Sequence, residues 1–226
     1  MNETQPDSFM SAGKLRNYSS ERGAENYRRD YEDKLHRKIS DRLERRILNR
    51  YFDRITGLEG DPCGSLLDVP CGAGRLLDLF RSRVPTVFEA DWSHTMLSLN
   101  RRNHPSSDVP FLRCSALELP FAARTVDIAV SIRLSHHLDR IEDRETHLRE
   151  LLRVSDRAVI ATWFSANSLK NILREARVKL FGKSPKNVLH TSRVREIARE
   201  HSFRLDSAVP LSRLSSGHRF GLFLRL

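Results

Sequence analysis

The 226 residues contain no apolar run of eighteen or more, so the sequence offers no membrane-spanning helix. Cysteine is scarce. Cys63, Cys71 and Cys114 are odd in number and form neither a C-x-x-C pair nor a metal-ligand spacing, which argues against a disulfide framework or a zinc site and suits a reducing compartment. The opening MNETQPDSFM does not pass from a charged into an apolar segment, as an export leader would. These absences make a soluble, cytoplasmic protein the expectation, with no bound metal. No internal repeat is visible, and the length suits one domain with appendages.

Positive charge is abundant and unevenly spread. The net charge is +10, and residues 151–226 hold 15 Lys or Arg against 5 Asp or Glu, while the first 150 residues are balanced. A one-sided basic segment points to an anionic partner: nucleic acid, a phosphorylated or lipid-linked small molecule, or a membrane surface.

Residues 1–58 read as a helical leader or cap. Leu35, Ile39, Leu43, Ile47, Leu48, Tyr51, Phe52 and Ile55 recur at steps of three and four from about Glu25 to Ile55. Beyond residue 59, strand-like and helix-like segments alternate. Strands are expected at Ser65–Val69, Thr86–Ala90, Val109–Arg113, Val126–Ser131, Ala158–Phe164, Leu205–Val209 and Phe220–Leu224. Helices are expected at Arg75–Arg81, His94–Arg102, Arg144–Val154 and Arg193–His201. The alternation implies a doubly wound α/β fold with helices on both faces of a mostly parallel sheet. Phe220–Leu224 follows a Ser-Ser-Gly turn, which suits one antiparallel strand near an edge. Within residues 59–226, a basic helical insertion at about 165–190 carries Lys170, Arg174, Arg177 and Lys179 beside an apolar stripe. Lying after the fifth strand, it is read as a lid over an acceptor pocket and as a membrane contact.

The stretch LLDVPCGAGRLL, residues 66–77, breaks a strand into a glycine turn at a helix start, where backbone can approach a ligand closely. A dinucleotide site would need a third glycine where Leu77 stands. Asp68 at the mouth would repel a pyrophosphate and attract an ammonium, so an adenosyl cofactor with an amino-acid tail fits better. Asp91, at the end of the next strand, suits the two ribose hydroxyls.

Asp68-Val-Pro-Cys-Gly-Ala-Gly74, Asp91-Trp-Ser93, Leu117-Glu-Leu-Pro-Phe121 and Val126-Asp-Ile-Ala-Val-Ser131, in that order, resemble the class I S-adenosylmethionine-dependent methyltransferases, in particular the branch acting on small molecules. The resemblance covers about residues 60–164. It implies a Rossmann-like, seven-stranded sheet and S-adenosylmethionine as cofactor. Carried over by position, Pro70, Cys71, Gly72 and Gly74 line the cofactor, Asp68 faces its amine, Asp91 takes the ribose and Trp92 covers the adenine. Ser115 stands where the family usually has an Asp for the adenine amino group, and Ala116 and Leu117 complete that wall.

A sulfonium methyl is already electrophilic, so the protein has chiefly to hold a nucleophile in line. His136 and His137, after the fourth strand, are the candidate bases. Arg133, Arg174 and Arg177 are the candidate grips for an anionic acceptor. The expected reaction is methyl transfer to an oxygen or nitrogen of a small-molecule or lipid- or saccharide-linked acceptor, with RNA methylation as the alternative. Against RNA, Ser-Ile-Arg-Leu follows the fourth strand in place of an Asn/Asp-Pro-Pro-Tyr-like block.

Overall fold

Adjacent residues along the central strands serve opposite faces of one sheet. Leu66, Ile128, Ile160 and Leu222 join one buried cluster, and their neighbours Leu67, Ala129, Val159 and Phe223 join another. The period of two on strands buried from both sides dictates a three-layer molecule. The computed structural model describes residues 33–57, 63–106, 108–165, 187–212 and 217–226, with 20, 22, 23, 25, 26 and 29. The expected insertion helix, with Arg174 and Arg177, lies outside the described residues.

Helix α1 (Leu35–Thr56) leads into β1 (Ser65–Asp68), α2 (Leu77–Arg81), β2 (Thr86–Asp91), α3 (His94–Asn103), β3 (Phe111–Arg113) and β4 (Val126–Ser131). A 3-10 turn (Ser135–His137), α4 (Ile141–Val154), β5 (Ser155–Ser165), β6 (Val188–Leu189), α5 (Thr191–Glu200), β7 (Phe203–Pro210) and β8 (His218–Arg225) complete the order. The sheet runs β3-β2-β1-β4-β5-β8-β7. All pairs are parallel except those of β8, which is antiparallel to both β5 and β7. The Rossmann-like architecture is as expected, and the antiparallel strand falls where the Ser-Ser-Gly turn put it. An eighth strand corrects the count of seven: β6 has two residues, paired with Phe164 and Ser165. So short a strand cannot display an alternating pattern.

Helices α1 and α2 cover one face through Leu48, Phe52, Ile55 and Phe80, and α4 and α5 cover the other through Leu148, Leu151, Leu152, Val194 and Ile197. From β1 the chain winds outward to β2 and β3 on one side, and β4 and β5 lie on the other. At such a reversal the loops after neighbouring strands part, and a crevice opens at their carboxyl ends.

Candidate active site

The turn after β1 is fixed by backbone bonds to β2. Cys71 N–H donates to the Ala90 carbonyl at 2.8 Å, and Gly72 N–H donates to Asp91 Oδ2 at 2.9 Å. The other oxygen of Asp91 accepts from Ser93 N–H at 2.8 Å, and the Ser93 hydroxyl caps α3 by accepting from Met96 N–H. One carboxylate therefore ties the glycine turn to the start of α3.

Both glycines have positive φ, 56° at Gly72 and 78° at Gly74, and their surroundings differ. A Cβ on Gly72 would meet nothing within 4 Å, whereas one on Gly74 would stand 2.0 Å from Asn100 Oδ1. Gly72 keeps a space open, and Gly74 lets α3 pack close. Gly74 accordingly lies outside the cavity lining, unlike the other sequence-named cofactor positions.

That cavity, about 250 Å³, lies at the carboxyl ends of the strands. Asp68, Pro70, Cys71 and Gly72 form one wall, Asp91 and Trp92 a second, and Ser115, Ala116 and Leu117 a third. Arg133, His136 and His137 close the far side, and Arg37 of α1 reaches its rim.

The electrostatics favour a cation. Asp68, Glu89 and Asp91 are all buried. Desolvation raises all three carboxyls, and repulsion from neighbouring acids adds to it at Asp68 and Glu89. Asp91 reaches about 6, although backbone N–H donors hold it down, and Asp68 stands well above the carboxylate range despite Arg75. A set so rich in desolvated acid rejects a pyrophosphate and fits a ligand bearing ammonium and sulfonium charges. Burial and the neighbouring acids push the Cys71 thiol well above its usual value, and burial pushes Cys114 to about 11. Neither thiol is a nucleophile at neutral pH.

Comparison with known proteins agrees with this geometry. Residues 67–158, which span β1 to β5, match the family described as a methyltransferase domain. Residues 67–158 are a methyltransferase domain, and the enzyme is S-adenosylmethionine-dependent. The magnesium protoporphyrin IX methyltransferase of Synechocystis PCC 6803, crystallised with S-adenosylhomocysteine, shares its fold at TM-score 0.75 and 17% identity, covering 95% of this chain and 99% of that one. An S-adenosylmethionine-dependent methyltransferase from Methanosarcina mazei aligns at TM-score 0.60 and 16% identity, covering 80% and 97%. No curated protein matches the sequence. The cofactor of the methyltransferase is S-adenosylmethionine, and the residues present suit it: the open side of Gly72 gives room, and the buried acids supply charge of the right sign.

Arg133, expected as an acceptor grip, lines the cavity and is engaged by α1. Its φ is 66°, its N–H donates to Thr162 Oγ1 at 2.6 Å, and its Nε donates to Glu44 Oε1 at 2.6 Å. Glu44 is wholly buried on α1, and its other oxygen accepts from Arg75 Nη2 at 2.7 Å. Arg75 also pairs with Asp41. The methyltransferase thus uses Arg133 and Arg75, from the two sides of the cavity, to fasten α1 across it.

His136 and His137 do reach the cavity. Their rings lie 4.0 Å apart, and His136 packs on Phe164 at 4.6 Å and His218 at 4.7 Å. Phe164 and His218, on β5 and β8, escaped sequence reasoning because nothing local links them to the histidine pair. Among the described residues no group of three or more His, Cys, Asp or Glu could hold a metal ion.

A row on α4 also went unread. Buried His147 bridges Ser131 Oγ, at 2.8 Å from Nε2, and the Ala116 carbonyl, at 3.0 Å from Nδ1. A carbonyl only accepts, so Nδ1 carries the proton, and burial lowers the imidazole to about 4 and keeps it neutral. Glu150 accepts from Leu119 N–H at 2.7 Å, and Arg153 donates to the Leu119 and Phe121 carbonyls. Three side chains spaced by three residues hold the loop 116–121. The spacing in HLRELLR was the available signal.

Proposed function

We propose that this methyltransferase transfers the methyl group to an oxygen or nitrogen of an anionic small-molecule or lipid-linked acceptor bound beside His136 and His137. The observation that carries this reading is the two-ended cavity: buried acids and Gly72 at one end, a wall of histidine rings at the other. S-adenosylmethionine, when bound, supplies an electrophilic methyl. Asp68 holds the ammonium, Asp91 accepts from the ribose hydroxyls, and Trp92, Ser115, Ala116 and Leu117 enclose the adenine. A ring nitrogen of His136 or His137 takes the proton of the acceptor hydroxyl or amine. Residues 1–58 act as a cap, with α1 fastened through Glu44. The relative from Synechocystis is named for a small-molecule substrate, in keeping with this acceptor class.

The basic insertion at about 165–190, with Arg174 and Arg177, takes over the acceptor's negative charge in this reading, since Arg133 is engaged by Glu44. It also offers a membrane contact. The test uses cofactor labelled in its methyl group, incubated with the enzyme and a cell extract that is then separated into nucleic acid, protein, lipid and small molecules, with Asp91→Ala as the blank. Label among small molecules or lipids supports the proposal. Label in RNA overturns it in favour of RNA methylation.

A further inference from the structure

Two ridges run side by side along α1. Residues 34, 38, 42, 46, 50 and 54 are Lys, Lys, Arg, Arg, Arg and Arg, and the residue after each is Leu35, Ile39, Leu43, Ile47, Tyr51 and Ile55. Steps of four follow a single helix ridge and steps of three join neighbouring ones, so Lys38 flanks Leu35 and Arg42 flanks Ile39. The apolar ridge changes role along its length. Ile47, Tyr51 and Ile55 are buried in the core, whereas Leu35 and Ile39 are 72% and 49% exposed. The cationic ridge is exposed throughout, over about 30 Å of helix.

The acids of α1 are engaged by other cations: Asp41 and Glu44 pair with Arg45, Arg75 and Arg133, and Asp53 pairs with Arg83, while Lys38, Arg42, Arg46 and Arg50 make no ion pair among the described residues. Farther along, Arg46, Arg50 and Arg54 rim a cavity of about 470 Å³ between α1 and β7, floored by Leu43, Ile47 and Val209.

We propose that this face of α1 docks on an anionic phospholipid membrane, with Leu35 and Ile39 entering the headgroup–acyl boundary and the Lys and Arg ridge meeting the phosphates. An amphipathic helix with this pairing of cations and exposed aliphatics lies in such an interface. Nucleic acid would engage the cations and leave Leu35 and Ile39 facing water. A symmetric contact with a second copy would set two cationic ridges against each other. The proposal concerns where the enzyme works, and none of the side chains it tests lines the cofactor cavity, so its failure leaves the acceptor reading intact.

The experiment is vesicle flotation of the full-length chain, using phosphatidylcholine vesicles with and without phosphatidylglycerol. Wild type should float only with the anionic vesicles. Replacing Lys38, Arg42 and Arg46 together by Gln should lower the partition coefficient about a hundredfold. The pair Leu35→Ser and Ile39→Ser should lower it at least tenfold. Thermal melting and cofactor affinity should stay unchanged in both variants, since all five side chains are exposed. Wild type that fails to bind anionic vesicles overturns the proposal. So does undiminished binding by the Ser pair, since cations then act alone, as RNA would require. Self-association in the ultracentrifuge that the Ser pair abolishes overturns it too, by making a second copy the occupant.

Discussion

Gly72 and Gly74 are two residues apart and constrain different things. At Gly72 a side chain bears only the strain of positive φ, about 1–2 kcal/mol, and projects toward the cofactor's space. At Gly74 the same strain is joined by collision with Asn100, whose amide donates to buried Glu89. Gly72→Val is expected to abolish cofactor binding in calorimetry with only a modest fall in melting temperature. Gly74→Ala is expected to cost about 2–4 kcal/mol of stability in denaturant titration, adding overpacking to the strain. The G-x-G pattern was legible in the sequence, but the division of labour was not, because it depends on which helix packs behind each glycine.

Asp91 supplies a second test at this scale. Burial raises its carboxyl to about 6, so below that pH the native group is protonated and the ribose hydroxyls lose a charged acceptor. Cofactor affinity should therefore rise as pH increases from 5 to 7.5. Asp91→Asn should flatten that rise and weaken binding at pH 7.5 by about 2–3 kcal/mol, the range for hydrogen bonds to a charged group. Calorimetry across the pH series reads both effects, and an unchanged Asn variant would sink the ribose assignment.

At the scale of elements, the cavity is held from outside by two helices. α1 supplies Glu44 to Arg75 and Arg133, and α4 supplies His147, Glu150 and Arg153 to the loop 116–121. Removing one partner of a buried ion pair leaves uncompensated charge, so Glu44→Ala should lower stability by about 3–5 kcal/mol in denaturant titration. The strands and most helices were legible because their signals repeat every two or four residues, as in Val126–Ser131, which was placed without error. The clamp was not legible: Arg133 and Glu44 are 89 positions apart, and no local pattern joins them. Arg133 looked like an acceptor ligand because its loop faces the crevice, which is correct. What the sequence withheld was the acid that engages it.

Over the whole molecule, two electrostatic surfaces of opposite sign operate in different dielectrics. The acids of the cavity are desolvated, whereas the Lys and Arg ridge of α1 stands in water. Counting charge over the first 150 residues together hid the second surface, because the excess on α1, seven Lys or Arg against three Asp or Glu over residues 35–56, is cancelled by acids elsewhere in that stretch. Salt separates the two. At 0.15 M the screening length is about 8 Å, which weakens exposed charges at a distance and leaves buried pairs largely untouched. Raising salt from 0.05 to 0.5 M should therefore release the enzyme from anionic vesicles while changing cofactor affinity by less than about threefold. Flotation and calorimetry on the same preparation compare the two responses directly. If cofactor affinity fell as steeply as vesicle binding, Asp68 and Asp91 would have to be reached by solvent ions, contrary to their burial in the walls of the cavity.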